Sequence, residues 1–107
     1  MNQKMNQKPC YQDYAKHAMR FYVKHPVLNA SLPGVRLSDI QNWHACNDTL
    51  ERFNDKEKAL LIGVYKSKCS MNDAVRCIAA QLGVSQGTVW QQMNRFEKEF
   101  AKHRGLI

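Results

Sequence analysis

The sequence predicts an all-α protein, a five-helix bundle with a C-terminal helix-turn-helix. Three observations lead to it. Apolar residues recur at intervals of three and four in five segments, and no segment alternates as a half-buried strand would. The segments are punctuated by Pro26, Ser38, Asn54, Asn72, Gly83 and Ser85, residue types that stop or cap helices. Finally, Ala79-Ala80-Gln81-Leu82-Gly83-Val84-Ser85-Gln86-Gly87-Thr88-Val89-Trp90 reads as a helix, a three-residue turn and a second helix.

At 107 residues the chain has room for one ordinary domain. Residues 1–10, in which Met-Asn-Gln-Lys occurs twice, are expected to be a disordered basic tail, and residues 11–107 a single helical domain. The first helix is expected from Tyr11 to Lys24, with Tyr14, Ala18, Phe21 and Tyr22 as its apolar stripe. This stripe has two readings, packing on the bundle or forming a homodimer contact. Lys8, Lys16, Arg20 and Lys24 on the other side could follow phosphates. Pro26 ends the helix, because the residue before a proline is pushed out of the helical region. Residues 27–36 read as a linker with a turn at Pro33-Gly34.

Ser38 is expected to cap a second helix over residues 39–53, with Ile40, Trp43, Cys46 or Asn47, Leu50 and Phe53 inward. Asn54 caps a third, and Asp55 and Glu57 suit the positive end of its dipole. Its body, Ala59 to Tyr65, is apolar nearly all round and belongs at the centre of the domain. Asn72 is expected to cap a fourth helix running to Leu82, with Val75, Ile78, Ala79 and Leu82 inward. The fifth follows Ser85 to about His103 and buries Val89, Met93, Phe96 and Phe100. The helix-turn-helix therefore spans residues 72–103. Gly83 supplies the left-handed residue that ends its first helix, Ser85 caps its second, and Ala79 is small where the two approach. A turn this short projects the second helix, the geometry that enters a DNA major groove.

Sixteen basic residues against nine acidic ones give a net charge of +7. Residues 1–25 are the most basic stretch. Such a balance favours anionic partners, nucleic acid first among them. No run approaches the ~18 apolar residues of a membrane span, so no membrane partner is expected. The N-terminus has no apolar secretory core, and a cytoplasmic location is expected. Cys10, Cys46, Cys69 and Cys77 form no CxxC pair, so they read as reduced thiols. His44 and Cys46 match no zinc spacing; neither metal nor cofactor is expected. No nucleophile is paired with a base and no glycine-rich phosphate loop occurs, so the chain does not read as an enzyme.

Leu82 to Val89, with Met93 and Arg95 following, resembles the helix-turn-helix of sigma factor region four, especially the extracytoplasmic-function class. Phe53 to Leu61 resembles that region's entry. The likeness covers about residues 43–100. In size and layout the chain is similar to small phage and prophage regulators of late genes. The resemblance implies a transcription regulator of double-stranded DNA, with Gln86, Thr88, Trp90, Gln91 and Asn94 at base edges. Ser85, Arg95, Lys98, Lys102 and Arg104 would meet phosphates. Trp90 stands where the class commonly has lysine, about 100° from the core stripe, and reads as a thymine-methyl contact or a protein anchor. No segment is long enough to be a promoter-melting domain, and the first helix lies outside the likeness. Because region four also contacts RNA polymerase, polymerase is a second candidate partner. The rival reading is an interaction module of the same fold that binds polymerase or another regulator, or a phage DNA-packaging adaptor.

Overall fold

The computed structural model describes residues 10–28 and 34–107. Over these it has five helices and no strand: α1 (Cys10–Lys24), α2 (Leu37–Leu50), α3 (Asp55–Lys66), α4 (Met71–Leu82) and α5 (Gln86–His103). The expected tail lies outside the described residues except at Cys10, which opens α1. Of the turn expected at Pro33-Gly34, Pro33 lies outside them too, while Gly34 sits in a turn with φ +83°.

Helices α2 to α5 each begin where a side chain accepts a free backbone N–H. Asn54 caps α3 as expected: its Oδ1 accepts the Glu57 N–H (2.8 Å) and the Glu57 carboxylate accepts the Asn54 N–H (3.0 Å). Ser85 caps α5, its Oγ accepting the Thr88 N–H at 3.1 Å. Two starts differ from expectation. α2 begins at Leu37, not after Ser38, because the Asp39 carboxylate reaches back to the Arg36 N–H (2.9 Å) and closes the first turn earlier. α4 is capped by Ser70, not Asn72, with Ser70 Oγ accepting the Asp73 N–H (3.3 Å). At its other end α2 stops at Leu50, so Phe53 lies in the following turn, yet remains buried.

α5 packs against all four other helices, α1 also against α2 and α3, and α4 against α3 and α5. The core is one cluster running from Ala15, Ala18 and Met19 of α1 through Cys46, Leu61 and Val64 to Val75 and to Val89, Met93, Phe96 and Phe100 of α5. Full burial of such large side chains contributes roughly 1.5–3 kcal/mol each. Three expected inward faces need correction. In α1 the buried residues are Ala15, Ala18 and Met19, while Tyr14 is 37% exposed and Phe21 and Tyr22 are half-buried. The small alanines let α1 lie close to its neighbours, and the aromatic rings wrap the edge. Tyr22 packs on Trp43, whose indole N–H donates to the His25 carbonyl (2.7 Å) just beyond α1. Ile40 and Trp43 of α2 are accordingly half-buried. Leu82 is 45% exposed, because α4 ends there and Val84 packs on the core instead.

The chain reverses between α4 and α5 through Gly83, Val84 and Ser85. Gly83 has φ +69°, and the N–H groups of Gly83 and Val84 both close on the Ala79 carbonyl. Nothing crowds a Cβ at Gly83, so backbone strain alone decides a substitution. Gly83→Ala should lower stability by about 1–2 kcal/mol, read as a shift of the urea midpoint with unchanged slope.

Candidate nucleic-acid interface

α5 has two faces. Val89, Met93, Phe96, Glu97, Phe100 and Ala101 are buried. Gly87, Gln91, Asn94 and Lys98 follow one another at helical spacing on the opposite side and are exposed, with Arg95 and Lys102 flanking them. Gln86 is exposed at the helix start. Among the described residues, no side-chain hydrogen bond or ion pair engages Gln86, Gln91, Asn94 or Lys98. This outward face is polar to cationic and carries no carboxylate.

What sets its direction is a residue that the sequence pattern did not single out. Glu97 is fully buried. Its carboxylate accepts the Tyr65 hydroxyl of α3 at 2.5 Å and faces Lys16 Nζ of α1 at 3.1 Å. A buried carboxylate is tolerated only when paired and hydrogen-bonded, and here both partners come from other helices. The signal was present in the sequence: Glu97 falls four residues after Met93 and four before Ala101, inside the buried stripe. Lys16, expected among the cations that follow phosphates, is instead committed to this carboxylate.

The other cations divide by partner. Arg95 lies with its guanidinium carbon 4.2 Å from the Phe53 ring centroid and its Nη1 3.4 Å from the Glu57 carboxylate. Lys102 faces Glu99 at 3.4 Å, which also receives Arg52. Exposed pairs of this kind contribute about 0–1 kcal/mol, so an incoming phosphate can compete for Arg95 and Lys102. Arg104 is held more firmly. Half-buried, it donates through Nε to Asn42 Oδ1 at 2.7 Å, and Asn42 in turn is bonded to the Tyr14 hydroxyl. Burial acts to raise the Tyr14 phenol, but the Asn42 bond and the Arg104 charge outweigh it and hold it below its ordinary value. Arg104 thus joins the end of α5 to α1 and α2.

Of the remaining expected contacts, Ser85 is exposed, with its hydroxyl 2.9 Å from that of Thr88, and Thr88 is half-buried. Trp90 differs from the outward reading. It is half-buried, packs on the core, and borders a depression with Lys16, Arg20 and Asn72. Its direction falls between Glu97 and Asn94 on the helix, which puts the indole at the edge of the outward face. Gly87 is exposed, and a Cβ there would meet only Ser85 Oγ at an ordinary 3.8 Å. The fold itself does not require glycine at this position. His44 is exposed while Cys46, two residues on, is buried; they point to opposite sides of α2. Among the described residues, no helix is long and apolar enough to cross a membrane. Compared with known proteins, the chain matches no protein-family model, no curated protein and no solved structure.

Lys16→Met leaves the Glu97 carboxylate buried with one partner lost and should cost about 3–5 kcal/mol, measured by urea unfolding. A second expectation concerns alkaline pH. Burial, then the Glu97 charge beside it, holds the Tyr65 phenol well above its ordinary 10.0. Burial likewise pushes the Cys46 thiol above its ordinary 9.0. Both groups ionise earlier in the unfolded chain, so their contribution is complete below pH 9–10 and is lost as pH rises beyond it. Stability should therefore fall above that range, and Tyr65→Phe should flatten the fall.

Proposed function

We propose that this chain is a sequence-specific DNA-binding transcription regulator. In this reading α4, the Gly83–Ser85 turn and α5 form a helix-turn-helix of the sigma region-four type, and α5 lies in the major groove. The observation that carries it is the outward face of α5, where Gln91 and Asn94 are exposed and unengaged and Lys98 follows one turn on, with Gln86 exposed at the start of the helix. Glutamine and asparagine can pair bidentately with adenine N6 and N7. Lys98, Arg95 and Lys102 stand where phosphate contacts would position the helix, and a net charge of +7 supplies the long-range attraction.

Gly87 adds support of a different kind. Gly87 is the second residue of α5 and exposed, and no contact within the protein calls for glycine there. Close approach of a DNA backbone at the start of α5 does. Trp90, half-buried and bordered by Lys16 and Arg20, offers no flat apolar patch of the kind a protein-docking helix would present.

The test is duplex affinity across salt concentration, on sites selected from a random pool. Log affinity should fall with log salt with a slope of about −4 or steeper; binding that is absent or indifferent to salt would sink the reading. Gln91→Ala should cost about 1–3 kcal/mol of discrimination between selected and random duplexes. Gly87→Ala should leave the protein as stable or more so, yet weaken DNA binding several-fold.

A further inference from the structure

A groove of about 770 Å³ opens between the C-terminal half of α1 and the turn from α3 to α4. Four of its nine lining residues are cations, Arg20, Lys24, Lys66 and Lys68, and none is acidic. Across the whole chain only 16 of 107 residues are basic, so the groove concentrates positive charge. Among the described residues, none of the four pairs with a carboxylate; the ion pairs there engage Lys16, Arg52, Arg76, Arg95 and Lys102. Lys24 and Lys66 each lie in the last turn of their helix, where a cation favours the dipole. That accounts for two of them. Arg20 and Lys68 lie outside those turns, and Arg20 Nε is buried without a hydrogen-bond partner. Four like charges around one groove repel each other unless an anion enters.

We propose that this groove binds phosphate groups, with Arg20, Lys24, Lys66 and Lys68 as their ligands. Val23, Pro26 and the Tyr65 ring form an uncharged wall that lowers the local dielectric and strengthens the attraction. Arg20 also lines a neighbouring depression of about 360 Å³ that Trp90 borders, where Asp13 is the one acid. DNA backbone running past α5 and a free polyphosphate offer the same chemistry. The DNA source rests on the proposed function; the phosphate site itself does not.

The experiment compares the full chain with Lys66→Gln/Lys68→Gln, both side chains being exposed and the helices left intact. Sodium tripolyphosphate is titrated against each while backbone amide NMR shifts are followed. In the unaltered chain, saturable shifts should concentrate at residues 20–26 and 65–69, with at least tenfold weaker binding in the double variant. In parallel, the salt slope of duplex binding should become shallower by about 2 in the variant if the groove holds DNA phosphates, at about 0.9 per phosphate. Tripolyphosphate binding lost with an unchanged slope assigns the site to a free polyphosphate. Should the chain bind no DNA at all, the proposed function fails while tripolyphosphate still decides the groove. Tripolyphosphate shifts absent or spread evenly over the lysines, together with an unchanged slope or no DNA binding, overturn the proposal.

Discussion

The structure depends on where one carboxylate is buried. Glu97 could not be left unpaired in the core, and its two partners, Tyr65 and Lys16, sit on α3 and α1. Three helices are thereby tied at one point, and the roll of α5 about its own axis is fixed. A rotation of one residue, about 100°, would carry Glu97 away from both partners and bring Lys98 into the core. Apolar packing alone discriminates less sharply, because phenylalanine and methionine tolerate small rotations that a buried hydrogen-bonded charge does not. Arg104 repeats the device at the end of the helix through Asn42 and Tyr14.

Much of this fold was legible in the sequence, and the reasons are local. Asn54 with Glu57, Gly83 and Ser85 act on amides or dihedrals within a few residues, so their roles can be read without knowing the neighbours. The α5 stripe was legible for the same reason, since period alone defines it. What depended on partners was not. Of the stripe Tyr14, Ala18, Phe21 and Tyr22 only Ala18 is in the core face of α1; Ala15 and Met19 join it there because the approach of other helices favours the small alanines. Glu97 lay in the right register for burial, yet its charge argued for solvent, and only distant partners, Lys16 81 residues away and Tyr65 32 residues away, resolve the conflict. Of the candidate site, the spacing on α5 was visible; that Trp90 turns toward α1 was not.

The basic residues sort by the work they do. Lys16 and Arg104 serve the interior, and Arg95 and Lys102 are held lightly at the surface. Lys98, Arg20, Lys24, Lys66 and Lys68 have no carboxylate partner among the described residues. A formal charge of +7 is thus not spread uniformly. Part of it is cancelled locally within the fold, while four cations without a carboxylate partner among the described residues line the groove beside α1.

The outward face of α5 bears on how this chain can change over time. Gln86, Gln91, Asn94 and Lys98 are exposed and outside the core cluster, whereas Glu97, next to Lys98, is buried and tied to two other helices. Outward-facing and fold-supporting positions therefore interleave on one helix without sharing residues. Substitutions at the first set are screened only by whatever the helix meets outside, and those at the second only by the interior. A lineage carrying this scaffold can change the outward face of α5 one residue at a time without passing through unfolded intermediates.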